Sequence, residues 1–233
     1  MDADPTQLRD AAAAQRVPAG YRPVAIGTAP PEIVQRDGCW TLRATTPLGA
    51  YPHRLTDRLA SGARAHPDRW LVARRGPDGT WIGITYAQML ERARAIGQAL
   101  LDRGLSAERP VAILSGNDLE HLQLAFGAMW AGIPHAPLSP AYSLVSSDYG
   151  KLRHALAVLT PGLVFASDGA AFRAALDASV PPDVERVVVS APDGMDGVTR
   201  FSSLLDTTPG SVDAAHDAIT GDTIAKFLFT SGS

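Results

Sequence analysis

Residues 110–139 read PVAILSGNDLEHLQLAFGAMWAGIPHAPLS. The opening PVAILS is an apolar run of strand length, Asn117 and Asp118 supply a helix cap, and LEHLQLAFGAMWA is helical as far as Gly132. IPHAPLS then reads as the next strand. Two strands joined through a helix by short connections run parallel, with a right-handed crossover. From Leu122 to Ser147 the chain carries no Asp, Glu, Lys or Arg, a run long enough to suggest a membrane span. Pro134, Pro137 and Pro140 would break such a helix, so a buried helix followed by a buried strand is expected instead.

The same alternation extends in both directions. Upstream, Thr85 stands where an N-cap belongs, ahead of YAQMLERARAIGQALLDRG, whose Met89, Ala93, Ile96 and Leu100 recur at three- and fourfold spacing until Gly104 closes the helix. WLVARR and WIGI flank the turn GPDGT as a hairpin, and HRLTDRLASGARAHPDR places Leu55, Leu59 and Ala63 on one helical face before His66-Pro67. Downstream come a helix near Asp148 to Leu159, the strand LVFAS, a helix near Ala171 to Leu176, the strand VERVVVS, a short helix at Ser202 to Leu205 and the strand TIAKFLFT. The fold class predicted is α/β: a doubly wound, largely parallel sheet with helices on both faces. Residues 1–50 are rich in Pro, Gly, Ala and Arg and read as an extended lead-in with room for one short helix; residues 51–233 form the α/β domain.

Composition narrows the function. With 45% hydrophobic and 19% charged residues the 233-residue chain is of ordinary globular make-up, and its net charge of -3 is dispersed, which argues against nucleic acid as a partner. Cys39 is the only cysteine, so neither an intramolecular disulfide nor a thiolate zinc site can form, and a reducing compartment fits. The N-terminus lacks the basic-then-apolar order of a secretory signal, so a cytoplasmic location and no membrane partner are expected. Lys151 and Lys226 are the only lysines among 21 basic residues, which limits any chemistry that needs a mobile ammonium.

In doubly wound sheets ligands bind beyond the carboxyl ends of the strands, and TSGS lies at that end of the last apolar run. Thr230, Ser231, Gly232 and Ser233 offer three hydroxyls and successive N–H groups around a residue that permits close approach, a combination able to wrap phosphate oxygens. By itself the tetrapeptide reads first as an ordinary polar turn, and only its context favours phosphate.

Three segments, in order, resemble the adenylate-forming superfamily of acyl-CoA and aryl-CoA ligases, luciferases and peptide-synthetase adenylation domains. ITYAQMLERARAIGQALLDRGL resembles its early TY-x-E-L segment, with Gln88 in place of the usual acid. GAMWAGIPHAPLSPAYS resembles its second core segment, and IAKFLFTSGS the start of its phosphate-binding loop. PLGAYPHRLTDRL, ALLDRGLSAERPVAILSGN, SPAYSLVSSDYGKLRHAL and LTPGLVFAS resemble the feruloyl-CoA synthetase group within it. The resemblance implies ATP, Mg2+ and CoA as cofactors and a small aromatic carboxylic acid as substrate, and it allows a homodimer. It also implies that Thr230, Ser231 and Ser233 hold phosphates while Gly232 allows the approach. The expectation is then an N-terminal part of a ligase, truncated inside its phosphate loop and inactive alone. The alternative is a noncatalytic α/β binding or interaction module complete at 233 residues.

Other residues carry less. The histidines at 53, 66, 121, 135, 154 and 216 lack metal-binding spacing. Ser115 follows a strand, but LSGN is no nucleophile elbow, so a structural cap or turn is expected. Lys226 shares a strand face with Leu228 and Thr230 and reads as a pairing or contact residue, Asp217 and Asp222 as solvated acids, and Cys39 as a small buried hydrophobe.

Overall fold

The computed structural model describes residues 30–230, so Ser231, Gly232 and Ser233 lie outside the described residues. The chain divides into two compact units, Met1–Tyr51 and Pro52–Ser233. In the first, β1 (Glu32–Arg36) pairs antiparallel with β2 (Cys39–Arg43), Ile33 opposite Leu42 and Gln35 opposite Trp40. This hairpin corrects the reading of residues 32–43 as extended lead-in: Asp37-Gly38, both at positive φ, supply the two-residue turn that alternating strands need. Cys39 is exposed rather than buried, because it opens β2 of a two-stranded sheet too thin to enclose it.

The second unit begins with α1 (Leu55–Ala65), which buries Thr56 and Leu59; Leu55, expected on the same face, is exposed. β3 (Trp70–Arg75) and β4 (Trp81–Thr85) form the expected antiparallel hairpin. Then α2 (Tyr86–Asp102) starts in a reciprocal cap: Gln88 N–H donates to Thr85 Oγ1 at 3.2 Å and Thr85 N–H donates to Gln88 Oε1 at 3.0 Å. The departure from an acid at position 88 therefore keeps the capping box intact, since an amide oxygen accepts as a carboxylate does. Met89, Ala93, Ile96 and Leu100 are wholly buried, each large side chain contributing about 1.5–3 kcal/mol of apolar burial.

The central sheet is built from β5 (Val111–Leu114), α3 (Leu119–Trp130), β6 (His135–Leu138), α4 (Ala141–Leu144), α5 (Gly150–Leu159), β7 (Leu163–Asp168), α6 (Gly169–Ser179), β8 (Glu185–Ser190), β9 (Val198–Arg200), α7 (Ser202–Leu205) and α8 (Val212–Asp217). Its strands run in the order β6-β5-β7-β8-β9, all parallel. Val111, Ile113, Leu163, Phe165 and Val187 face α2 and α3, and Ala112, Leu114, Ala136, Val164 and Val188 face α5 and α6. Strands buried on both faces read as unbroken apolar runs, which is how β5 and β7 were legible. The α/β class, with a mostly parallel sheet flanked by helices, is thus observed.

Three expectations shift. The helix placed from Asp148 begins at Gly150, because the Asp148 carboxylate accepts from Gly150 N–H at 3.1 Å and sits ahead of the first turn. The helix placed near Ala171 to Leu176 begins earlier, at Gly169, where Asp168 caps it by accepting from the N–H groups of Ala170 and Ala171. The strand expected at TIAKFLFT is reduced to one parallel bridge, Lys226 with His135. No helix among the described residues is long and apolar enough to cross a membrane.

Candidate functional site

The terminal segment joins the free edge of β6. His135 N–H donates to Ala225 O at 3.3 Å and His135 O accepts from Phe227 N–H at 3.0 Å. In a parallel ladder alternate residues bond to opposite sides. Pro134 O accepts from Val111 N–H on the β5 side, so His135 and Pro137 face outward. The next outward donor would be the amide of Pro137, which has no hydrogen, and the ladder stops there. Sequence propensity alone could not reveal this, since the obstacle sits in the partner strand.

Beyond the Lys226–His135 bridge the segment runs on to Thr230, on the side of the residues that follow β6. There it lines a cleft of about 220 Å³ with Tyr142, Lys151, His154 and Phe229. Tyr142 belongs to α4, and Lys151 and His154 to the first turns of α5. The Lys151 ammonium lies 5.7 Å from the Tyr142 ring centroid. A tight turn sets the entry to α5: Ser146 Oγ donates to Asp148 Oδ1 at 2.9 Å, Tyr149 N–H donates to Ser146 Oγ at 3.1 Å, and Tyr149 adopts φ 50°. The Gly150 N–H and the Ser146 hydroxyl hold the Asp148 carboxyl below its ordinary range.

Thr230 is the one proposed phosphate residue that the structure places. The sequence reading missed Tyr142, Lys151 and His154. Their signal was positional: they follow the carboxyl end of β6, the side on which ligands of such sheets bind.

Further down the edge, His135 is 4% exposed and its Nδ1 is buried without a hydrogen-bond partner. Burial, the nearby Lys226 ammonium and His121 push this imidazole down to about 4. Ser115 Oγ lies 2.8 Å from His121 Nδ1, a pairing that could suggest a nucleophile and base. The same Nδ1 lies 3.1 Å from Gly116 O, which can only accept. The Ser115 hydroxyl also donates to Gly116 O at 3.2 Å, so serine, imidazole and carbonyl form one local hydrogen-bonded turn at the end of β5. Among the described residues no group of three or more His, Cys, Asp or Glu side chains could hold a metal ion.

Residues 59–233 match the family of AMP-binding enzymes. The chain belongs to that family. Among curated relatives of this AMP-binding family member, a long-chain-fatty-acid–CoA ligase, FadD15 of Mycobacterium tuberculosis, is 28% identical over 174 residues, covering 73% of this chain and 28% of the relative. The chain thus spans under a third of that relative's length. Among solved structures, an acyl-CoA synthetase of Brucella canis superposes with a TM-score of 0.58 at 19% identity, over 72% of this chain and 30% of that one. A fatty acyl-adenylate ligase from L. pneumophila, in complex with acyl adenylate and pyrophosphate, superposes with a TM-score of 0.55 at 19% identity, over 78% of this chain and 29% of that one. At these identities the superpositions establish a shared fold.

Proposed function

We propose that the chain is the N-terminal part of an ATP-dependent carboxylic acid–CoA ligase that adenylates an aromatic acid such as ferulate and passes the acyl group to CoA. The observation that carries this reading is the position of Thr230, first residue of TSGS, in a cleft with Lys151 beyond the carboxyl end of β6. Membership of the AMP-binding family supports it. A carboxylate resists nucleophiles because it is an anion. Its attack on the α-phosphorus of ATP, with pyrophosphate leaving, gives a mixed anhydride that the CoA thiol then opens, releasing AMP. The hydroxyls of Thr230, Ser231 and Ser233 hold the departing phosphate oxygens and Gly232 lets the backbone approach them. Mg2+ would bind with the nucleotide's phosphates and neutralise charge on the departing pyrophosphate.

The preference for an aromatic acid rests on the resemblance of SPAYSLVSSDYGKLRHAL and LTPGLVFAS to feruloyl-CoA synthetases; the curated relative named above is, by name, a ligase of long-chain fatty acids. The deciding assay supplies the whole protein with ATP, Mg2+ and CoA and either ferulate or palmitate, following AMP and thioester. Ferulate-dependent AMP release is expected. Turnover with palmitate alone would replace the substrate, and no AMP with either acid would sink the ligase reading. The isolated 233-residue chain is expected to form no thioester, and thioester formation by it would refute that part.

A further inference from the structure

One cluster in the second unit is used by nothing above. α8 is held by side chains from three other helices. Gln98 Oε1 accepts from Gly210 N–H at 2.9 Å and from Val212 N–H at 3.0 Å. Arg94 pairs with both carboxylate oxygens of Asp213, and Trp130 Nε1–H donates to Asp213 Oδ1 at 3.2 Å. At the other end of the helix the His216 ring stacks on Trp130, centroids 3.8 Å apart and planes 9° from parallel. Its Nε2 lies 2.8 Å from Thr56 Oγ1, and Arg54 Nη1 donates to His216 O at 2.6 Å.

From α8 the chain runs to Thr230. Along that stretch Ile219 and Thr223 lie beside Gly132, and two main-chain hydrogen bonds tie Ala225 and Phe227 to His135. The clasp at His216 is therefore the upstream anchor of the segment that carries Thr230.

We propose that His216 is a proton-sensitive latch for this segment: the neutral ring locks α8 between Thr56 and Trp130, and protonation releases it, loosening the bridge of Ala225 and Phe227 to His135.

The imidazole is 5% exposed. The charged and titratable groups around it are Arg54 just ahead of α1, Asp57 within α1, Arg94 on α2, and Asp213 and Asp217 on α8; from α3 it meets the indole of Trp130. Each acid is already engaged: Asp57 accepts from Arg54, Asp213 from Arg94 and Trp130, and Asp217 is 80% exposed and shared with Arg54. Burial, then the Arg54 guanidinium, hold His216 below the ordinary imidazole value despite the three carboxylates. An imidazolium over an indole gains some cation–π attraction, but less than a charge loses on leaving water.

Because the bound ring resists its proton and the released ring does not, opening becomes easier as pH falls below about 6.5, by up to about tenfold per pH unit until the depressed value is reached. The consequence for ligands rests on the proposal that Thr230 begins a phosphate-binding loop; the latch itself does not.

The test uses the 233-residue chain without nucleotide. With Trp40, Trp70 and Trp81 changed to Phe, Trp130 emission reports the stack. Amide exchange at His135 and Phe227, corrected for intrinsic chemistry, reports the bridge. Between pH 8 and 5 both are expected to change with one midpoint below 6.5. His216→Gln should remove the emission change and leave in exchange only the pH dependence that His135 itself brings, and Asp217→Asn, a surface substitution, should lower the midpoint. Flat exchange in the unsubstituted chain, an emission transition surviving in His216→Gln, or a midpoint unmoved by Asp217→Asn overturns the latch; the last stands even if the glutamine variant does not fold. Loss of the nucleotide reading would leave these readouts unchanged.

Discussion

Pro137 stands opposite the carbonyl of Phe227 at the point where the pairing between β6 and the terminal segment ends. His135, two residues earlier, makes both of its outward bonds, to Ala225 and Phe227. Pro137→Ala would restore a donor on the same edge of β6. It is expected to extend the bridge into a short strand through two new bonds, one from the restored N–H at position 137 to Phe227 O and one from Phe229 N–H to the carbonyl at position 137. Amide exchange at Phe229 should slow by about fivefold or more, as expected for a net hydrogen bond of about 1 kcal/mol. Unchanged exchange at Phe229 would mean that something other than the proline ends the ladder.

The capping box of α2 gives a second expectation. Gln88→Ala removes the acceptor for Thr85 N–H and should cost about 1 kcal/mol in urea unfolding, within the usual range for caps. Gln88→Glu keeps the acceptor and adds a negative charge in the first turn, where the helix dipole favours it by about 0.3–1 kcal/mol. The glutamate variant should therefore be at least as stable as the original chain. If it is less stable, the amide's N–H₂ makes a contact that the capping geometry does not include.

Much of the fold was legible because its signals are long and local. The run from Pro110 to Ser139 alternates strand, helix and strand with buried apolar residues throughout, and α2 announces both of its ends, by Thr85 and by Gly104 at φ 66°. What escaped was short or depended on partners. β9 has three residues and owes its existence to β8, while α4 and α8 are too brief to show a helical period. At the site, Thr230 could be singled out because TSGS follows an apolar run and IAKFLFTSGS resembles the start of a phosphate-binding loop. Tyr142, Lys151 and His154 converge on it only through the register of a bridge between residues distant in sequence, Lys226 and His135, and no local pattern encodes that.

The crossing of α2 and α3 predicts a packing limit. A Cβ built on Gly127 would come within 2.7 Å of Ile96 Cβ, and one on Gly97 within 2.9 Å of Gly127 O. Neither obstacle is a flexible tip: one is the branch point of a β-branched side chain and the other is backbone. Gly127→Ala gains about 1 kcal/mol of helix propensity, yet overpacking of a filled core costs about 1–3 kcal/mol, and prying two helices apart lies at the upper end. A net loss of about 1–2 kcal/mol is expected in urea unfolding with an unchanged slope. A stabilised Gly127→Ala would show that α2 and α3 can separate without cost.

His135 should leave its mark on the pH dependence of stability. Its folded-state value is about 4, against about 6.5 for an unperturbed imidazole, so between those values the unfolded chain binds more protons. Stability then rises with pH through this window: the full contribution is present above about 6.5, falls away as pH drops toward 4, and changes no further below it. A depression of this size corresponds to about 3 kcal/mol. Burial is the main physical reason, and the Lys226 ammonium and His121 add to it; Nδ1, buried without a partner, gains no compensating bond. The measurement is urea unfolding at about pH 7.5 and about pH 4.5 for the original chain and for His135→Leu, which retains the main-chain bonds to Ala225 and Phe227. The original chain should lose more stability than the variant over that interval, by about 2 kcal/mol or more. Equal losses would mean that His135 takes up its proton alike in the folded and unfolded chain, so that its surroundings do not hold it neutral.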